Sequence, residues 1–195
     1  MPLLKREPDV FPANLFELSA TDFPWQVAHV RSRQEKGLVR FIGPDPRKMA
    51  ELTELPPGTV PFYLPQIENK LKSGGRTRSS WIPLFGGYVF FRGGSERRMK
   101  VIKSNLVANI IEVQDQQLLH DQLKQIFEMQ QKGLRLLLYP EITTGDMVRI
   151  REGVFKGYIG QVIRERDELR LIVSVAAIGK SVVVELGKES LVPVR

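Results

Sequence analysis

From Trp25 onward the apolar positions fall into readable periods. Trp25-Gln26-Val27-Ala28-His29-Val30 alternates apolar with polar or small residues and predicts a strand with one buried face. Arg31 to Phe41 is charged and helix-compatible, weakened by Gly37, and Gly43-Pro44-Asp45-Pro46 stops it. Arg47 to Leu55 adds a turn or two of helix before Pro56-Pro57-Gly58. Val60 to Leu64 predicts a strand in which Pro61 points to an edge or bulge. Lys72 to Ser80, with Gly74-Gly75 inside it, predicts a flexible basic loop, and Ile82 to Phe91 a strand broken by Gly86-Gly87. Ser95 to Lys103 predicts a short helix with Ser95 as its N-cap and a basic face. A short strand at Ile110 to Val113 follows, and Asp115 can cap the next helix. In that helix Leu119, Leu123, Ile126 and Phe127 recur at helical spacing until Gly133 ends it. The order β-α-β-β-α-β-α predicts an α+β domain of the split βαβ, ferredoxin-like kind, with two helices on one sheet face.

The flanks read differently. Residues 1–22 are punctuated by Pro2, Pro8 and Pro12 without a sustained period, which predicts a disordered arm. Residues 134–144, containing Pro140, are expected to be a linker between a domain at 23–133 and a second at 145–195. In the second, Met147–Ile150, Ile159–Arg164, Leu169–Val175, Ser181–Leu186 and Leu191–Val194 are short Val- and Ile-rich runs separated by turn signals. Five such strands in about fifty residues predict a small all-β barrel of the SH3-like size class.

Composition narrows the chemistry. A chain of 195 residues, 42% hydrophobic and 26% charged, can bury a core and has no apolar run long enough to span a bilayer. No signal peptide is legible, so an intracellular, cytoplasmic protein without a membrane partner is expected. Zero cysteines exclude thiol catalysis and thiolate metal sites, and only His29 and His120 remain for imidazole chemistry. Asp167-Glu168 and the pair Glu51 and Glu54 have no His or metal-ligand companion. Gly179-Lys180-Ser181 resembles the end of a phosphate-binding loop, but Ser174 stands where that motif needs glycine and a β-rich run follows. An enzyme is not expected, nor a cofactor.

The charge points to a polyanion. Between Lys70 and Lys103 there are nine basic residues against one acid, Glu96, a local +8 within a formal net charge of +7. Such a field attracts phosphate backbones. Trp81, Phe85, Tyr88, Phe90 and Phe91 lie in the same stretch, where bases could stack on them or where they could form core. Residues 145–195 carry nine basic and seven acidic side chains, only +2.

Three segments carry a family resemblance. They are Trp25 to Lys36, the run Pro83-Leu84-Phe85-Gly86-Gly87-Tyr88-Val89-Phe90, and Gly145-Asp146-Met147-Val148-Arg149-Ile150-Arg151-Glu152-Gly153-Val154-Phe155-Lys156-Gly157-Tyr158-Ile159-Gly160. Together they resemble a NusG-type transcription factor with an N-terminal NGN domain and a C-terminal KOW domain. Gly153, Gly157 and Gly160 mark turns of a small barrel and Phe155 fills its core. Where the family has an aromatic-Pro-Gly-Tyr turn, this chain has Phe85-Gly86-Gly87-Tyr88, so Gly86 removes a fixed φ.

The resemblance implies a monomer whose first domain docks on the coiled-coil clamp helices of RNA polymerase and lowers pausing. On that analogy Trp25, Phe85 and Tyr88 line an exposed apolar docking patch. Arg97 and Arg98, with Arg76 and Arg78 of the basic loop, face the polymerase or the non-template DNA strand. The KOW domain of the family recruits Rho or a ribosomal protein through a loop matching Ala177-Ile178-Gly179-Lys180, with Ile178 and Lys180 as contacts. The β-rich run from Ile172 to Val184 favours a permanent barrel over a helical alternative. The divergent turn and the insert at 43–61 lean toward a specialised antiterminator. The competing reading is a ribosome-associated, RNA-binding KOW protein.

Overall fold

The computed structural model describes residues 6–45, 55–73, 76–139, 147–150, 155–165 and 168–186. The helix expected near 47–55, the strand at Leu191–Val194 and the turns at Gly74-Gly75 and Glu152-Gly153 lie wholly or largely outside them. The chain divides into two compact units, Met1–Gln116 and Gln117–Arg195.

The first unit is built on a five-stranded antiparallel sheet. In chain order its strands are β1 (Val10–Phe11), β2 (Trp25–Val30), β3 (Phe62–Tyr63), β6 (Tyr88–Arg92) and β7 (Val107–Ile111), in spatial order β1-β3-β6-β2-β7. The crossover from β2 through α1 (Glu35–Ile42) to β3 leaves β6 between the two strands, the split βαβ arrangement expected. Side chains alternate faces along each strand. On one face Ala28, Val30, Phe62, Val89 and Phe91 join Leu38, Val39 and Ile42 of α1 and Val101 of α2 (Ser95–Lys103) in one buried cluster. The helix α2 spans the expected residues, but its N-cap position is Gly94 and no side chain caps it.

Three expectations are corrected in this unit. The arm before residue 23 is packed where it is described: β1 pairs with β3, and Phe11 and Leu15 are buried. The basic loop at 72–80 is part of a two-stranded ribbon, β4 (Gln66–Ser73) against β5 (Arg76–Pro83), with Leu71 opposite Arg78 and Ser73 opposite Arg76. The run Ile82 to Phe91 is two elements, because the chain turns at 84–87 between β5 and β6.

The second unit begins in α3 (Gln116–Gln131), which starts directly after Asp115 and groups with the C-terminal residues. Its sheet is a meander, β9 (Met147–Arg149), β10 (Ile159–Glu165), β11 (Glu168–Val175) and β12 (Lys180–Leu186), closed at one edge by β8 (Leu136–Tyr139). The expected linker thus supplies a strand, with Leu138 opposite Val182 and Leu136 opposite Val184. Consecutive residues Leu171, Ile172 and Val173 are all buried, as are Val182, Val183 and Val184, so this centre is covered on both faces. Gly160 lies in a strand instead of a turn: a Cβ there would stand 2.2 Å from the Ile172 carbonyl oxygen. Gly157 does turn, at φ 91°. Within this unit Gln125 exchanges two hydrogen bonds with the Ile159 backbone, at 2.8 and 2.9 Å, and Gln122 Oε1 accepts from the Ala176 N–H.

Candidate functional site

The face of the first sheet away from α1 and α2 is aromatic. Register places Trp25 opposite Arg92, Val27 opposite Phe90 and His29 opposite Tyr88, with Tyr63 beside Phe90. One end of this face is closed. The segment at Leu15–Glu17 lies over it, Phe16 meeting the Trp25 ring at 5.7 Å and the Tyr63 ring at 5.5 Å. Arg92 bolts the closure: its guanidinium donates to the carbonyls of Leu15 (2.7 Å), Phe23 (2.8 Å) and Ser19 (3.3 Å), and stacks 5.0 Å over Trp25. The residue is 1% exposed, and burial pulls its guanidinium below its ordinary pKa. A cation counted with the basic stretch is therefore an internal fastener.

The docking patch is accordingly corrected. Trp25 and Phe85 are 2% and 1% exposed, and Phe85 packs edge-on to Phe90 at 5.8 Å. They are core, because the 84–87 turn folds Phe85 onto the aromatic face while the 15–17 segment covers Trp25. The Trp25 backbone is further tied to the Gln116 amide through its N–H (2.6 Å) and carbonyl (3.0 Å).

The other end of the face is open. His29 is exposed and Tyr88 half-buried, and their rings stack with centroids 5.2 Å apart. Beside them Gly87 adopts φ 88°, a left-handed conformation that favours glycine. The turn lacks proline yet is held by polar contacts. Glu35 Oε1 accepts from the Gly87 N–H at 2.7 Å, Val30 N–H donates to the Gly87 carbonyl at 2.8 Å, and Leu84 N–H donates to the Pro65 carbonyl at 2.7 Å. Glu35 is buried at the start of α1, so the helix positions the turn. Adjacent Lys36 is also buried. Its Nζ donates to the Trp81 carbonyl at 2.7 Å, and burial holds its ammonium below the usual lysine range.

The two arginines of α2 are not free cations. Arg97 and Arg98 are half-buried on α2. Arg97 Nε donates to the Thr59 carbonyl (3.3 Å) and its guanidinium lies 4.6 Å over Phe23, while Arg98 donates to Gln26 Oε1 (3.1 Å). Arg76 and Arg78 occupy β5 of the ribbon. In the second unit Ile178, expected as a partner contact, is 9% exposed on a short 3-10 turn at Ala176–Ile178 and packs inward; Lys180, after Gly179 at φ 59°, is exposed. Sequence reasoning passed over His29 and Glu35. The signal for His29 was its place on the Trp25 side of the β2 alternation, opposite Tyr88.

Among the described residues no three His, Cys, Asp or Glu side chains converge to hold a metal. No helix there is long and apolar enough to cross a membrane.

No family model and no curated protein matches the sequence. The structure is similar to that of Thermotoga maritima NusG, described for its domain interaction, at 19% identity and a TM-score of 0.46, covering 85% of this chain and 94% of that one. It is also similar to the MjSpt4:Spt5 complex at 19% identity and a TM-score of 0.25, covering 82% of this chain and 90% of the other.

Proposed function

We propose that this chain is a non-enzymatic transcription elongation or antitermination factor of the NusG type, which docks on the clamp helices of RNA polymerase and suppresses pausing. The sequence resemblance motivates the class. The observation that carries the docking assignment is the stack of exposed His29 on half-buried Tyr88 at the open end of an otherwise closed aromatic face, next to a braced turn. Rings exposed on a rigid support offer contact area at low entropic cost. Phe85, packed edge-on to Phe90 in the turn before Tyr88, supports that surface from within, and Trp25 belongs to the closed end of the face. The β4–β5 ribbon, with Arg76 and Arg78, and the α2 arginines face polymerase or the non-template strand, where positive charge favours phosphate. In the second unit, read as a KOW domain, Lys180 and the turn before it recruit a ribosomal protein or Rho.

A pull-down on immobilised clamp helices tests the reading. The double variant His29→Ala, Tyr88→Ala should lose binding by about tenfold or more with unchanged circular dichroism, since His29 is exposed and Tyr88 half-buried. Undiminished binding overturns the docking assignment. Capture of ribosomal RNA from native extract in place of polymerase subunits favours the RNA-binding alternative.

A further inference from the structure

A second surface lies on the outward side of the helices of the first unit. While α1 and α2 bury Leu38, Val39, Ile42 and Val101 against the sheet, Phe41 and Met99 stay 48% and 49% exposed, and Ile102 is exposed one turn beyond Met99. Phe41, Pro57 and Met99 line an open cleft of about 640 Å³, with Lys100 and Lys103 along it and Glu96 as the one acid among its described lining residues. That volume lies in the range of ligand-binding clefts, roughly 300–1,000 Å³.

The walls are braced from inside. Lys100 Nζ donates to the Ile42 carbonyl (3.3 Å) at the end of α1 and to the Gly58 carbonyl, joining three segments. Val60 N–H donates to the same Ile42 carbonyl at 2.9 Å, and Thr59 closes the Pro56–Thr59 turn through its N–H and hydroxyl. Burial already lowers the Lys100 pKa, so its ammonium is partly stripped of water. A carboxylate placed beside it would meet a cation that has already lost part of its hydration.

We propose that this cleft binds an acidic amphipathic protein segment, with an apolar side chain seated between Phe41 and Met99 and carboxylates facing Lys100 and Lys103. Charge complementarity selects the sign of the partner, and the apolar floor selects its kind. Phe41, Pro57 and Met99 give the cleft an apolar lining that a phosphate backbone would leave unfilled, so a peptide carrying both apolar and acidic side chains fits better than a nucleic acid. The surface is distinct from the His29–Tyr88 end, and its occupant need not be polymerase.

The test uses the full chain with isotope-labelled methionine methyls. The probe is a synthetic helix of glutamates with leucines at every third and fourth position; controls are the same helix with lysines for glutamates, and a short single-stranded oligonucleotide. The glutamate helix should shift the Met99 methyl resonance saturably and the lysine helix should not. Phe41→Glu and Lys103→Glu, which both keep the Met99 reporter, should each weaken binding about tenfold, while His29→Ala leaves it unchanged. No shift with the glutamate helix overturns the proposal, as does an oligonucleotide that perturbs Met99 at equal or lower concentration.

Discussion

The two sheets hold together by different means. In the first unit, strands distant in sequence lie side by side, and polar fasteners spanning long separations set where the covering segments go. Arg92 reaches Leu15, the Gln66 amide donates to the Glu7 carbonyl, and the Gln116 amide brackets Trp25. In the second unit four strands follow one another as a meander, and Val and Ile pairs such as Val173 with Val182 fill the space. A sheet assembled from distant pieces needs specific donors to select one arrangement. A meander is selected by its turns and its close fit. The first should fail when a fastener is removed, the second when a side chain is added.

Gly160 gives the largest expected effect. Gly160→Ala sets a Cβ against the backbone of the neighbouring strand, which cannot swing aside as a side chain end could. A loss of about 3 kcal/mol in the second unit is expected, read by urea unfolding of the full chain with strand-specific amide signals. Gly86→Ala, where nothing lies within 4 Å and φ is not in the left-handed range, should stay within about 0.5 kcal/mol. Equal effects would remove close strand approach as the reason for Gly160.

Removing a fastener comes next. Arg92→Met keeps much of the volume but takes the guanidinium donor from the Leu15 and Phe23 carbonyls, while the Ser19 carbonyl keeps the Phe23 N–H, at about 2–4 kcal/mol. The same variant should expose the 12–22 segment to limited proteolysis. Arg92→Lys should rescue only in part, because an ammonium cannot reproduce the planar fork. A resistant Arg92→Met segment would show that Phe16 packing alone closes the face.

These two sites also show what sequence could and could not convey. Local periodicity was enough for β2, α2, α3 and the strands β10 to β12, because each buries a face set by its own spacing. Arg92 read as surface charge, since nothing local reveals three carbonyls arriving from residues 15 to 23. Its alternation with Tyr88 and Phe90 was the unused clue. The same blindness to distant partners made an arm of the segment before residue 23 and a linker of β8, whose role depends on β12. Phe85 read as exposed because the resemblance placed it in a docking patch at the Gly-Gly turn. The Glu35 carboxylate that braces it comes from a separate element, α1.

Glu35 offers a smaller and sharper test of the open end. Glu35→Ala leaves the Gly87 N–H without its acceptor and should cost about 1–2 kcal/mol. It should also weaken clamp-helix binding several-fold, whereas Glu35→Gln keeps an acceptor and should restore most of both. Loss of stability without loss of binding would separate the turn from the docking surface.

The smallest effect concerns pH, and it comes from the closed end. Burial, aided by the negative charge of Asp9, pushes the Tyr63 phenol well above its ordinary value. In the unfolded chain the same phenol ionises near 10. The neutral ring therefore contributes stability that is fully present below pH 10 and is lost as pH rises above it, by about 1.4 kcal/mol per pH unit until the folded value is reached. Lys36 and Lys100 act with the opposite sign. Burial lowers their pKa values, so between those values and the unfolded one near 10.4 the unfolded chain holds more protons, and their contribution grows as pH rises. Tyr63→Phe deletes only the first of these opposing slopes. At pH 7 it should cost about 1 kcal/mol or less, and its alkaline unfolding midpoint should lie above that of the unsubstituted chain. A midpoint that fails to rise would mean that water reaches Tyr63 on this timescale, and that the segment bolted by Arg92 opens more readily than its three hydrogen bonds suggest.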